Sequence, residues 1–201
     1  MEKTKKLTEK LQQKLQPKAA MAANYNMAPT HFYISSLLLS FMGGIIITAG
    51  SDLHWPMLLV CGIIVLRILC SHFALLLICE HRMTSNFNIF MAELHNAGSD
   101  SLLLLPFAFI EGISGPLVVA VVILGILSQM VAITAVPMIQ ARRHDGPVHV
   151  EDRLLVFGGI ALLVGVGIPA LIWANIVLLV LLALQFATLV IRIRKALALS
   201  K

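Results

Sequence analysis

Long apolar runs separated by short polar stretches set the pattern of this chain. Six segments, approximately 32–50, 55–79, 88–110, 115–140, 154–172 and 174–192, are predominantly apolar over about the 20 residues a helix needs to cross a bilayer core about 30 Å thick. They are too long for strands and lack period-two alternation. In lipid the backbone must satisfy itself, so the segments predict helices. The links "GSDLHWP" and "EGISGP" are short and make neighbouring helices antiparallel. The longest link is "ARRHDGPVHVEDR", with Asp145-Gly146 as its turn signal. Gly43-Gly44 in the first segment predicts close helix packing. Ahead of the first segment, "MEKTKKLTEKLQQKLQPK" places Leu7, Leu11 and Leu15 at four-residue steps among lysines. That is an amphipathic helix able to lie on an anionic leaflet, or a solvated arm, with Pro17 as its end. The predicted division is a cytoplasmic arm over 1–25 and a six-helix transmembrane domain over 26–201. The polar start does not read as a cleavable signal peptide.

Composition agrees: of 201 residues 59% are hydrophobic and 12% charged, and mean hydropathy is +0.92. A soluble domain carries about twice that charge. The 15 Lys and Arg residues then orient the helices. Six lysines lie within 1–18, Arg67 and Arg82 in or after the second segment, Arg142, Arg143 and Arg153 between the fourth and fifth, and Arg192, Arg194, Lys195 and Lys201 at the close. The three links on the other side have none. The positive-inside rule puts both termini in the cytoplasm, with Trp55 and Trp173 at the opposite interface. The net charge of +5 thus serves topology and anionic headgroups; no basic groove with interleaved aromatics points to nucleic acid. Cys61, Cys70 and Cys79 share one helix and read as small buried hydrophobes, without disulfide or zinc spacing.

Ionisable groups within membrane segments are functional candidates. On the second helix, Arg67, Ser71, Ala74 and Ile78 share a face; on the third, Glu93, Asn96 and Asp100 do, with His95 beside them. Two readings follow. The faces either enclose a polar crevice open to the cytoplasm, with Ile78 at its mouth, or are ordinary packing through Ser71 and Ala74. Glu93 and Asp100 with Asn96 could hold one metal; an ion pair with Arg67 is favoured, because lone charges there are costly. A zinc-type site from Glu80, His81, Glu93 and His95 has no identifying spacing. Arg142, Arg143 and Arg153 are phosphate contacts or simply positive-inside charge.

Several stretches carry a family resemblance: "NMAPTH", Arg67, "CEHRMTS", "AELHNAGSDSLLLLPF", "RRHDGPVHVEDR" and "FATLVIRIRKAL". Over roughly 26 to 195 the chain resembles the CDP-alcohol phosphatidyltransferases, membrane enzymes that join a phosphatidyl group to an alcohol. The resemblance implies a six-helix all-α fold, a membrane phospholipid partner such as a CDP-diacylglycerol-type lipid, and a bacterial cytoplasmic membrane. It also implies a homodimer or association with an active relative, and it offers Arg67, Arg142, Arg143 and Arg153 to lipid phosphates. The family motif D-x2-D-G-x2-A-R, followed by G-x3-D-x3-D, holds two divalent metals, Mg²⁺ or Mn²⁺, that grip the CDP pyrophosphate. Here the motif acids fall on Ser71, Ala74, Ala92 and Asn96, the first glycine on Leu75, the A-R pair on Ile78 and Cys79, and the second glycine on Asn88. A lysine common before the fifth helix is Val150. Those divalent cations want hard oxygen ligands, usually carboxylates, so no metal is predicted.

The expectation is therefore a degenerate phosphatidyltransferase-like protein that binds lipid or partners an active relative. One alternative is an active transferase with a site remodelled around Glu93 and Asp100, the only candidate catalytic acids. The other is a transport or channel subunit, for which Arg67, Glu93, His95 and Asp100 would have to line a water path.

Overall fold

The structure, a computed structural model, describes residues 15–22, 24–25, 27–50, 54–80, 85–134 and 146–199. After a helical stretch over 15–22, the described residues form α1 (Pro29–Ala49), α2 (Trp55–Glu80), α3 (Asn86–Leu104), a 3-10 turn (Leu105–Phe109), α4 (Gly115–Thr134), α5 (Val150–Gly165) and α6 (Ile172–Leu199). Among them there is no strand. Four helices are long and apolar enough to cross a membrane: α1, Trp55–Cys79 within α2, α4, and Ile172–Ala198 within α6. The chain is a multi-pass integral membrane protein.

The other two helices sit where apolar segments three and five were expected, and their composition separates them from the four. α3 carries Asn86, Asn88, Glu93, His95, Asn96 and Asp100 in its 19 residues. α5 has only 16 residues and opens on Glu151, Asp152 and Arg153. Boundaries shift for local reasons. The third segment does not run to 110 as one helix, because Pro106 lacks an N–H and the chain tightens into the 3-10 turn. α5 begins four residues before the expected 154, where the His149 N–H donates to Asp152 Oδ2 at 2.9 Å and two acids sit at the positive end of the helix dipole. It stops at Gly165, before Gly167 at φ 97 and Pro169. α6 runs on to Leu199 rather than ending at 192.

Pro17 does not end the N-terminal helix as expected, since residues 15–22 are helical through it. Leu15 and Ala19 are buried against Leu76, with Leu69 and Phe73 beside them on α2. That burial offsets the one hydrogen bond proline forgoes. Leu7 and Leu11 lie outside the described residues.

The largest packed cluster joins all six helices through residues such as Ile47, Met57, Val60, Leu104, Phe107, Val118, Phe157 and Leu178. Phe107 and Phe157 meet edge to face, centroids 5.0 Å apart. Gly44 in α1 makes the expected close packing: a Cβ there would lie 2.3 Å from the Leu102 carbonyl oxygen of α3. Asn175 ties the α6 start to the loop before α4, accepting from the Ser114 N–H at 2.7 Å and donating to the Gly112 carbonyl at 2.9 Å. Residues from the start of α1, the second half of α2, the first half of α3, the end of α4, the start of α5 and the end of α6 gather at the other end of the bundle.

Candidate functional site

That gathering of helix ends encloses a cavity of about 290 Å³. Each helix contributes to its wall: Tyr33 from α1; Arg67, Ser71, His72 and Leu75 from α2; Ala92 and Asn96 from α3; Gln129 and Ala132 from α4; Glu151 and Leu154 from α5; and Arg192 from α6. A second, smaller cavity of about 20 Å³ lies between α4, α5 and α6, walled by Gly125, Ser128, Arg153, Gln185 and Arg192 among others.

At the centre of the bundle Asp100 is fully buried and ion-paired on both oxygens. Oδ1 accepts from Arg67 Nη2 and Oδ2 from Arg153 Nη2. Gln129 Nε2 adds a contact to Oδ2 at 3.5 Å. The expected Arg67–Asp100 pair is thus present, and Arg153 joins it. Arg67 is 1% exposed and Arg153 3%. Gly125 makes room for Arg153, since a Cβ there would lie 1.8 Å from Nη1. One carboxylate faces two guanidiniums. Three buried N–H positions, Arg67 Nε, Arg67 Nη1 and Arg153 Nε, have no hydrogen-bond partner among the described residues.

The hydroxyl of Ser71 accounts for a second polar group. It lies 3.1 Å from His95 Nε2 and 3.1 Å from the Arg67 carbonyl oxygen one turn back. The other ring nitrogen of His95, Nδ1, lies 2.9 Å from Ser99 Oγ. The ring is buried and packs on Tyr33, centroids 5.2 Å apart. At the rim, His72 Nε2 meets Glu151 Oε1 at 3.5 Å, and Arg192 Nη1 donates to the Ser128 carbonyl at 2.8 Å.

The two faces expected to flank a crevice do flank one, with corrections. On α2 the wall runs through Arg67, Ser71 and Leu75 at four-residue steps. Ala74 is fully buried instead of lining it, and Ile78 is not among its walls. On α3, Ala92 and Asn96 line the cavity, Asp100 lies beneath it in the ion pair, and Glu93 is half-buried outside the wall. The four positions aligned with the family's acids therefore present one hydroxyl, one carboxamide and two methyl groups. Of the phosphate candidates, Arg67 lines the large cavity, Arg153 lines the small one, and Arg142 and Arg143 lie outside the described residues. His81 and the Glu80 side chain also lie outside them, and His95 is held between two serines rather than beside Glu93. Among the described residues no group of three or more His, Cys, Asp or Glu side chains is placed to hold a metal.

Reasoning from the sequence missed Tyr33, His72, Gln129, His149 and Arg192 as cavity walls. Gln129 had a signal: it is an amide inside an otherwise apolar helix. So does Gln185, 2% exposed on α6 with neither amide atom partnered among the described residues.

No protein-family profile and no curated protein matches this sequence. Solved structures do. One is the phosphatidylinositol phosphate synthase of Mycobacterium tuberculosis with CDP-DAG bound, at a TM-score of 0.63 and 16% identity, covering 90% of this chain and 92% of that one. Another is the same enzyme in complex with manganese and citrate, at a TM-score of 0.64 and 16% identity, covering 90% and 88%. The chain therefore has the fold of a CDP-alcohol phosphatidyltransferase, as its sequence resemblance implied.

Proposed function

We propose that this chain is a membrane protein of phospholipid metabolism that keeps the phosphate-facing cavity of the phosphatidyltransferase fold and has lost metal-dependent transfer. In this reading all six helices span a bacterial cytoplasmic membrane with both termini inside, and the cavity opens to the cytoplasm. Its ligand is a phospholipid of the CDP-diacylglycerol type, the lipid seen bound to the similar structure. It acts as a homodimer or beside an active relative.

One observation carries the reading. Where the fold would hold two divalent cations, Ser71 and Asn96 offer neutral oxygens and Ala74 and Ala92 offer none, while the nearby acid Asp100 has both oxygens taken by guanidiniums. Hard divalent cations need several oxygen donors, mostly charged. This donor set does not fit a two-metal centre. The same engagement of Asp100 weighs against a site rebuilt around Glu93 and Asp100, since a metal would have to displace two buried arginines. The lining charges instead suit an anion: Arg67 and Arg192 both line the cavity, against the single acid Glu151, and Arg67 keeps two buried nitrogens without a partner among the described residues.

The test is a titration of Mg²⁺ and Mn²⁺ into protein in lipid nanodiscs containing CDP-diacylglycerol, following heat and CMP release together. The expected result is no metal-dependent heat and no CMP. Metal-dependent CMP release overturns the reading.

A further inference from the structure

Ser71 stands between the cavity and a buried imidazole. Ser71 is part of the cavity wall. Behind it His95 Nε2 lies within hydrogen-bond reach at 3.1 Å, and the opposite ring nitrogen is fixed by Ser99 at 2.9 Å. The Ser71 hydroxyl donates to the Arg67 carbonyl at 3.1 Å; with the ring proton on Nδ1 donated to Ser99 Oγ, Nε2 can accept that proton once the hydroxyl rotates from the carbonyl toward it. Tyr33 holds the ring from its face. One turn from Ser71 on α2, Arg67 lines the same cavity; its Nη2 is held by Asp100, and its buried Nε and Nη1 have no partner among the described residues. A nucleophile, a base in reach, a group that orients the base and a guanidinium one turn away are the elements of an activated serine site.

We propose that Ser71 is a nucleophile toward lipid phosphate esters, with His95 as its general base, Ser99 as a positioning residue and Arg67 as the stabiliser of the phosphoryl charge. In the first step Ser71 Oγ forms a bond to phosphorus and its proton passes to His95 Nε2. The bond from phosphorus to the leaving oxygen breaks, and that oxygen takes the proton from His95. Water then attacks the phosphoserine ester. It gives its proton to His95, and the phosphorus–Oγ bond breaks as Oγ takes that proton back. No metal enters either step; the choice of a lipid phosphate as substrate rests on the function proposed above.

A long-chain alkyl fluorophosphonate tests it on the full chain in nanodiscs. Attack by Ser71 on this probe breaks the P–F bond, releases fluoride and leaves a stable phosphonylated serine, read by intact mass and located by peptide mapping. The expected result is one adduct per chain, at Ser71, absent in Ser71→Ala. Labelling in His95→Gln is slower by at least about 100-fold, the usual contribution of a general base. Labelling slows in Ser99→Ala and recovers in Ser99→Thr. Folding of each variant is followed by its thermal transition. The wild-type protein decides the matter even where a variant does not fold: a folded wild type with no adduct at Ser71 overturns the proposal. Equal labelling in folded His95→Gln overturns it too.

Discussion

The two ends of this bundle solve the same problem, burial in an apolar surrounding, by different means. At one end Ile47, Met57, Val60, Leu104, Phe107, Val118 and Phe157 interlock as apolar side chains, and a single asparagine, Asn175, satisfies the loop backbone. At the other, six helices meet around a cavity beside the ion pairs of Asp100 with two arginines, and three buried nitrogens there have no partner among the described residues. The first end is complete by itself. Residual buried donors at the second are costly unless something answers them.

Substitutions break or sharpen this contrast. The largest effect is expected for Asp100→Ala, which leaves two buried guanidiniums without their carboxylate. Removing one partner of a buried pair costs about 3–5 kcal/mol, and here one change orphans two cations. Thermal unfolding in nanodiscs should show a severe loss, and a near-normal transition would mean the ion pairs contribute little. Phe157→Ala at the apolar end should cost about 3 kcal/mol from the cavity it opens beside Phe107, without altering lipid-phosphate binding. A change in binding as large as the loss of stability would dissolve the distinction between the ends. Gly125→Ala should cost about 1–3 kcal/mol by overpacking, because the added methyl collides with Arg153. Its thermal shift should shrink sharply in an Arg153→Met background, where the clash is relieved. Asn175→Leu should cost about 1–2 kcal/mol through the unsatisfied Ser114 N–H. The smallest effect belongs to Leu179→Ala on the outer face, 56% exposed, within about 0.5 kcal/mol.

The apolar end was legible in the sequence and the polar end only in part. Run length places α1, α2, α4 and α6, since hydropathy is a local property. Gly44 announces close packing, and the structure supplies its partner, Leu102. Arg67 and Asp100 could be paired from helix periodicity and the cost of lone charges. Arg153 could not, because its place beside Asp100 depends on how α5 docks between α2 and α6 and on the gap at Gly125. The register of the α2 wall was misjudged for the same reason. Spacing defines a face to within about a residue, and only packing decides that Leu75 rather than Ala74 looks into the cavity. Uncharged polar residues such as Gln129 and Gln185 escaped a search for ionisable groups.

The central claim is that this cavity binds a lipid phosphate through its arginines without a metal. The direct measurement is the affinity for CDP-diacylglycerol in nanodiscs, in excess EDTA and again in Mn²⁺, for the wild type and for Arg67→Met. The account predicts the same affinity with and without metal, and a loss of about tenfold or more, some 1.4 kcal/mol, in Arg67→Met. Binding that appears only with Mn²⁺, or that is indifferent to Arg67, would contradict it.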